Sequence, residues 1–178
     1  MELTEKTLSG RTIFEGRILT LTVDTVELPN GATSTREVVD HPGGVCVLAL
    51  MEDGTVPLVR QFRYPFGQPL LELPAGKLER GEDPLKAAVR ELGEEVGLVP
   101  GEMTDLGVIY ASPGFCNEQL HMYLARKLTQ VPVHPDEDEF LEVVHLPFEE
   151  LVRMVVTGEI KDGKTVTAVL KGKLLLNL

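Results

Sequence analysis

The sequence predicts one α/β sandwich with a mixed β-sheet, preceded by a small antiparallel β lobe. Runs rich in Thr, Val and Ile, typical of strands, recur along the chain with only three helical segments among them. The 178 residues suffice for one well-packed domain and a small extra lobe. His41-Pro42-Gly43-Gly44 interrupts the strand pattern. We therefore predict a lobe over residues 1–41 and a main domain over residues 42–178.

The predicted lobe contains three strands. Thr12–Leu19 and Leu21–Leu28 have strand composition, and a turn at Pro29-Asn30-Gly31 leads to a third strand near Thr35–Asp40. Because so small a sheet must bury one face elsewhere, we expect it to pack on the main domain or on a second subunit.

The main domain is predicted to begin with two apolar strands, Val45–Met51 and Val56–Phe62. Glu52-Asp53-Gly54 separates them and indicates a hairpin. Asp83 and Pro84 are a typical helix start, and Gly97 is a typical helix end. Further strands are predicted at Leu70–Leu73, Leu106–Ala111, Leu120–Leu128 and Phe140–Pro147, and further helices at Phe148–Thr157 and Thr165–Leu175.

Composition restricts the classes of function. A formal net charge of −11 disfavours broad nucleic-acid binding, but it permits a small anionic substrate if divalent cations lie between the negative partners. Cys46 and Cys116 have no metal or redox spacing, and we expect buried free thiols. The chain begins without signal-peptide features, and its apolar runs are too short to span a membrane. We expect a soluble cytoplasmic protein.

The helix after Asp83 carries an acidic face. Glu91, Glu94 and Glu95 are three and four residues apart and share that face, where like charges repel. Arg90 relieves part of the repulsion, and a divalent cation would relieve more. From the helix alone, a solvated acidic face is the commoner interpretation. A second, apolar stripe is expected to face the core and contains Leu85, Ala88, Val89, Leu92 and Val96.

The residues around this helix favour a functional role for the acidic face over a solvated surface. Five residues separate Gly76 from Glu82, and seven more precede Arg90-Glu91-Leu92, after which Glu94-Glu95 and Gly97-Leu98 follow at single-residue intervals. This segment, Gly76–Leu98, resembles the Nudix box, with every fixed position filled. The resemblance implies a Nudix-type α/β/α sandwich and a hydrolase that holds Mg²⁺ or Mn²⁺ against a pyrophosphate.

The resemblance also implies roles for residues of the box. Glu91 and Glu95 are expected as the principal metal ligands and Glu95 also as a catalytic residue, with Glu94 and the carbonyl of Ala75 as further ligands. An ion pair that braces the loop against the helix, and glycines that serve backbone geometry, are also implied; these residues are Glu82, Arg90, Gly76 and Gly97.

A general base is expected from the acidic loop Pro135–Glu139. The resemblance implies a glutamate from this loop, and position relative to the predicted strand Phe140–Pro147 favours Glu139, with Glu137 second. The alternative is that four consecutive acids form a solvated loop with no catalytic role.

Segments outside the box point to ADP-ribose. Gly67–Gly76 resembles the run before the box in ADP-ribose pyrophosphatases, and Pro113, within Ser112–Glu118, lies 15 residues after Leu98 as in that branch. The resemblance assigns substrate contacts to Arg36, Glu37, Arg63 and Glu118. Because the chain has no tryptophan, Phe14, Tyr64 or an aliphatic residue would have to contact the base.

The resulting hypothesis is a homodimeric hydrolase that converts ADP-ribose to AMP and ribose 5-phosphate. Another nucleoside diphosphate sugar, such as GDP-mannose, is the first alternative. A non-catalytic ADP-ribose sensor is the second, and the complete set of box glutamates disfavours it.

Overall fold

The protein is described by a computed structural model over residues 2–133 and 140–177. The chain forms two compact units. The smaller unit comprises Met1–Gly43 and Tyr110–Gln119, and the larger unit comprises Gly44–Ile109 and Leu120–Leu178. The predicted main domain, residues 42–178, includes residues 110–119, which the structure assigns to the smaller unit.

The smaller unit contains the predicted antiparallel sheet, which is confirmed. Its strands β1 (Lys6–Glu15), β2 (Thr20–Glu27) and β3 (Thr33–Asp40) are neighbours in that order. The first strand lies earlier than predicted. The Gly16 amide donates to the carbonyl of Leu19 at 2.9 Å, so these residues form the turn rather than the end of a strand.

The second segment of the smaller unit is held beside β3. The Val39 amide donates to the Phe115 carbonyl at 2.7 Å, and the Asn117 amide donates to the Val39 carbonyl at 3.1 Å. The Asn117 side chain donates to the Asp40 carboxylate and accepts from the His41 amide at 2.8 Å. Residues remote in sequence are thereby fixed against the end of β3.

The larger unit contains two sheets. One has the order β7-β4-β9-β8 and the other β10-β5-β6, with β4 parallel to β9 and antiparallel to β7, which makes the first sheet mixed. The strands are β4 (Gly44–Ala49), β5 (Thr55–Arg63), β6 (Gln68–Glu72), β7 (Ala75–Lys77), β8 (Leu98–Tyr110), β9 (Gln119–Gln130) and β10 (Leu141–Pro147).

The predicted hairpin between β4 and β5 is wrong. Both strands exist, but β5 pairs with β10 and β6 in the second sheet. Two hydrogen bonds stabilise the turn between the strands. The Gly54 amide donates to the Met51 carbonyl at 3.0 Å, and Asp53 accepts from the Thr55 amide at 2.9 Å. All six residues of β4 are buried, and β9 and β7 occupy its two edges. The turn therefore carries the chain from one sheet to the other.

Three helices complete the larger unit, namely α1 (Pro84–Val96), α2 (Phe148–Val156) and α3 (Gly163–Leu176). One core cluster joins Leu48 of β4 to Leu151 of α2 and Val169 of α3, and another joins Val47 of β4 to Leu92 of α1. Helices thus pack on both sides of β4, and the α/β/α sandwich is confirmed. In the described residues, no helix is long and apolar enough to cross a membrane.

The ends of α1 are as predicted, and its core-facing stripe is confirmed for Ala88 and Leu92, which are fully buried, but wrong for Leu85. The Asp83 side chain accepts from the Lys86 amide at 3.0 Å, and Gly97 ends the helix with a left-handed φ of +66°. Leu85, predicted to face the core, is 44% exposed. It lies in the first turn, while Glu91 and Glu95 are buried instead.

Neither cysteine forms a disulfide. Cys46 is fully buried in β4, and burial raises the pKa of its thiol to about 12. Cys116 lies in the smaller unit and is only half-buried. The prediction of free thiols is confirmed, whereas the predicted burial is confirmed for Cys46 and wrong for Cys116.

Candidate active site

The first carboxylate of the site lies against a glycine. Glu91 of α1 is 8% exposed, and Gly76 belongs to β7, where it pairs with Val45 of β4. A Cβ atom added to Gly76 would lie 1.9 Å from the carboxyl carbon of Glu91. The Glu91 side chain therefore reaches the backbone of β7 only because residue 76 has no side chain.

The second carboxylate contacts the preceding residue of the same strand. Glu95 is 2% exposed, and its Oε2 accepts a hydrogen bond from the Ala75 amide at 2.9 Å. Glu91 and Glu95 lie one helical turn apart, so α1 presents two buried carboxylates to Ala75–Gly76. The acidic face of α1 is therefore not a solvated one.

Arg90 connects the acidic residues of the site. Its guanidinium donates to both oxygens of Glu82 at 3.1 Å, and its Nη1 donates to Glu91 and Glu94 at 2.9 Å each. Hydrogen bonds from Arg90 and from the Glu79 amide lower the pKa of the Glu82 carboxyl. One cation thus offsets part of the repulsion among the glutamates and links the loop before α1 to the helix.

The donor set agrees with a hard divalent cation in its chemistry. Glu91 and Glu95 provide carboxylate oxygens in a buried setting, where anionic charge is costly without a positive partner. Across residues 2–133 and 140–177, no three His, Cys, Asp or Glu side chains converge closely enough to hold a metal ion. Arg90 engages Glu91 and Glu94, while Glu95 contacts Ala75. The three glutamates are brought to one helix but do not form a closed ligand shell.

The third glutamate, Glu94, borders open space. A shallow concavity of about 320 Å³ runs along the outer side of α1 and continues to the segment after β9. Its lining comprises Val89, Arg90, Gly93, Glu94, Val99, Val131 and Pro132. Glu94 therefore remains accessible, in contrast to Glu91 and Glu95.

The larger unit contains a second ionic cluster, which the sequence did not predict. Arg63 donates through Nε and Nη2 to the two oxygens of Glu72, at 2.7 Å each. The Lys164 ammonium contacts the same carboxylate and lies 3.0 Å from Asp162. Burial alone would raise the pKa of Glu72, but Arg63 and Lys164 outweigh it and leave that pKa below its usual value. The sequence feature that could have indicated this cluster is a glutamate inside the apolar run Leu70–Leu73.

The predicted substrate residues of the smaller unit have other contacts. Arg36 pairs with Glu5, and that hydrogen bond raises the pKa of the guanidinium. Glu37 is the next residue of β3, so its side chain points to the opposite face, and it is exposed. Arg36 and Glu37 therefore do not form a pair. Glu118 lies 3.5 Å from Nδ1 of His41, which accepts from the Gly43 amide.

The predicted general bases, Glu139 and Glu137, lie outside the described residues. Of the other predicted positions, Arg63, Ala75 and the glutamates of α1 belong to the larger unit, and Arg36, Glu37 and Glu118 belong to the smaller one.

Two family models match consecutive parts of the chain. Residues 40–169 match the NUDIX domain, and residues 5–39 match the nucleoside diphosphate sugar hydrolase N-terminal domain. The chain belongs to the Nudix family, and the prediction of a Nudix hydrolase is confirmed.

Several relatives extend over most of the chain. An ADP-ribose pyrophosphatase from Bacillus subtilis is 44% identical, with 94% of this chain and 91% of that protein covered. A methanol dehydrogenase activator from Bacillus methanolicus is also 44% identical, covering 93% and 90%. A GDP-mannose pyrophosphatase from Yersinia enterocolitica is 40% identical over 74% of this chain and 73% of its own length.

A solved structure shares the fold. The crystal structure of an ADP compounds hydrolase superposes with a TM-score of 0.87, covering 99% of this chain and 97% of that one. At 22% identity this similarity supports the fold alone.

Proposed function

We propose that this protein hydrolyses the pyrophosphate of ADP-ribose to AMP and ribose 5-phosphate. The observation that carries the proposal is the pair of buried carboxylates, Glu91 and Glu95, held against Ala75–Gly76. The similarity to an ADP-ribose pyrophosphatase over nearly the whole chain supports the choice of substrate.

The proposed cofactor is Mg²⁺, with Mn²⁺ or another divalent cation as the alternative. Glu91 and Glu95, with Glu94 and the Ala75 carbonyl, would hold it through hard oxygen donors. When bound, the cation neutralises pyrophosphate oxygens and acidifies water.

The chain's own residues are proposed to bind the substrate and to move the proton. Arg63 is proposed to bind a phosphate, because a guanidinium forms paired hydrogen bonds with phosphate oxygens. Arg90 holds Glu91 and Glu94 in place. Glu139, or else Glu137, is proposed to accept the proton of the attacking water.

For the nucleoside end of the substrate we propose contacts from Arg36, Glu37 and Glu118. Tyr64 and Phe14 are 88% and 56% exposed, which supports either as a ring for stacking on the base.

A cytoplasmic homodimer is proposed as the working form. All ten residues of β1 are exposed, among them Leu8, Ile13 and Phe14 at 50%, 47% and 56%. A second copy would cover this apolar surface. Sedimentation velocity should show a dimer for the native protein and a monomer for Ile13→Lys; a native monomer would refute this assignment.

GDP-mannose is the second candidate substrate, and the GDP-mannose pyrophosphatase among the relatives favours it. Both substrates contain the same pyrophosphate, so the α1 site does not distinguish them. A sensor without catalysis is disfavoured, because all three glutamates of the box are present.

The decisive experiment is a screen of ADP-ribose, GDP-mannose, NADH and diadenosine polyphosphates with and without Mg²⁺. Products should be identified by mass spectrometry. The proposal requires AMP and ribose 5-phosphate from ADP-ribose at the highest kcat/KM. Faster cleavage of GDP-mannose would make GDP-mannose the substrate in place of ADP-ribose. No cleavage of any compound would favour a sensor without catalysis.

Glu95→Gln in the same screen separates enzyme from sensor. It keeps the size of the side chain but removes its charge, and turnover should fall by roughly 100-fold or more. Glu52→Gln is the matched control, because Glu52 lies in the exposed turn after β4. Equal turnover of the two variants would remove Glu95 from the proposed metal site.

A further inference from the structure

The cluster of Arg63, Glu72, Lys164 and Asp162 is unusual in its burial. Side-chain exposure is 1% for Glu72 and 9% for Lys164, whereas Arg63 retains 37%. Two cations and two anions balance one another, so the buried charges are compensated. The exposed end of the cluster is the guanidinium of Arg63.

The same cluster is connected to the start of α3. Asp162 caps this helix by accepting from the Thr165 amide at 3.0 Å and from the Thr165 hydroxyl at 2.6 Å. The fully buried Thr165 Oγ1 in turn accepts from the Leu73 amide at 2.9 Å. Helix α3 therefore holds Glu72 through Lys164 and Leu73 through Thr165.

The segment Glu72–Ala75 is fixed from two further directions. The Pro74 carbonyl accepts from the Val47 amide of β4 at 2.9 Å, and the Ala75 amide donates to Glu95 of α1 at 2.9 Å. Consecutive residues thus contact α3, β4 and α1 in turn. A displacement at Glu72 would be transmitted within three residues to Ala75.

The hydrogen bonds of Arg63 define which part of it is available. Nε and Nη2 donate to Glu72, and in the described part of the chain Nη1 donates to no protein group. Lys164 contacts the Glu72 oxygen that also accepts from Nη2. Because Lys164 provides a second, buried positive charge, Glu72 does not depend on Arg63 alone for compensation.

We propose that Lys164 is a positioning residue for the substrate phosphates, acting through Glu72 on Arg63 and on the segment that ends at Ala75. Lys164 shares the compensation of Glu72 from the buried side, so that the half-exposed Arg63 keeps charge available for a phosphate at Nη1. Thr165 keeps the same segment in register through Leu73. This inference rests on the proposed function, which assigns Arg63 to the phosphates.

Lys164→Met is the main test, because it keeps an apolar chain of similar length but removes the charge. The KM for ADP-ribose should rise about tenfold while kcat changes less than about threefold, since Arg63 would then have to compensate Glu72 without Lys164 and would have less charge available for a phosphate. Lys164→Arg should restore KM, because it returns the cation. Lys173→Met is the matched control, since Lys173 forms an ion pair with the exposed Glu149.

A readout without substrate or metal makes the inference independent of activity. Amide hydrogen exchange of a peptide covering residues 72–75, measured in EDTA, should accelerate in Lys164→Met and in Thr165→Val but not in Lys173→Met. Thr165→Val removes the acceptor of the Leu73 amide with little change in shape. If Lys164→Met does not fold, as judged by circular dichroism, Lys164→Gln takes its place, because it also removes the charge but keeps a polar side chain. Lys164→Arg remains the rescue variant.

The outcomes separate this inference from the proposed function. Faster exchange with a raised KM, both reversed in Lys164→Arg, supports the positioning role. Unchanged KM and exchange in Lys164→Met would overturn it, as would a change of stability alone. If the native protein cleaves another sugar nucleotide, the KM comparison is made with that compound. If it cleaves none, the proposed function fails and no KM can be measured. Amide hydrogen exchange of the peptide covering residues 72–75 then decides alone whether Lys164 positions this segment.

Discussion

The charged side chains of the proposed site in the larger unit are buried, whereas a charged pair in the smaller unit is exposed. In the larger unit, Glu72, Glu91 and Glu95 are almost fully buried, and all three contact other groups of the same unit. In the smaller unit, the pair of Arg36 with Glu5 leaves 40% and 34% of the two side chains exposed. A buried charge must have its partners in place, whereas an exposed pair contributes little. The larger unit therefore holds the carboxylates of its proposed site through internal contacts, whereas the charged pair of the smaller unit remains open to solvent.

The largest expected effect comes from Gly76→Ala. The new methyl group would occupy the position of the Glu91 carboxylate and displace it from the backbone of β7. Turnover should fall by roughly 100-fold or more, measured as kcat with the best substrate of the screen. Gly163→Ala is the control, because its Cβ would meet nothing within 4 Å, and it should keep full activity. An active Gly76→Ala would show that Glu91 need not approach Gly76.

Glu72→Gln tests the cost of breaking a buried ion pair. It leaves the buried Lys164 facing a neutral amide, and the free energy of unfolding in urea should fall by about 3 kcal/mol. Glu142→Gln removes an exposed pair with Arg60 and should change that free energy by about 1 kcal/mol or less. Similar losses in the two variants would abolish the distinction between buried and exposed charges.

The pH dependence of stability should show the same difference. The folded pKa of Glu72 lies below its ordinary value of 4.5, so its contribution is present above that value and is lost as pH falls through the folded pKa. The stability difference between the native protein and Glu72→Gln should therefore shrink below about pH 4.5. A difference constant down to pH 3 would contradict the lowered pKa. The charged and titratable groups that act on Glu72 and its partners are Arg63, Lys164, Asp162, Glu95 and Cys46.

The smallest effect on stability is expected for Arg36→Ala. Because the Arg36–Glu5 pair is exposed, the free energy of unfolding should change by about 1 kcal/mol or less. Use of ADP-ribose should nevertheless weaken more than hydrolysis of a poor substrate such as NADH, as measured by kcat/KM. Equal losses for both substrates would count against the proposed nucleoside contact.

The features that sequence predicted well are local ones. Asp83, Pro84 and Gly97 set the ends of α1 through contacts within a few residues. The ion pair of Glu82 with Arg90 is present and spans only eight residues. Such features depend on helix geometry and capping, which neighbouring residues determine.

The features that sequence did not predict are nonlocal. The turn at Glu52–Gly54 has hairpin composition, but the edges of β4 are taken by β7 and β9, which are remote along the chain. Glu72 and Lys164 are 92 residues apart, and although the apolar run around Glu72 indicates burial, no neighbouring residue identifies Lys164 as its partner. Arg36 pairs with Glu5, which lies 31 residues earlier in the chain.

The raised pKa of Cys46 has a practical consequence. Thiol-modifying reagents attack the thiolate, and Cys46 is both buried and protonated at neutral pH. Alkylation of this residue therefore requires β4 to open, whereas Cys116 is only half-buried. Mass-spectrometric counting of alkylated cysteines over time would follow the opening of the sandwich without any added probe.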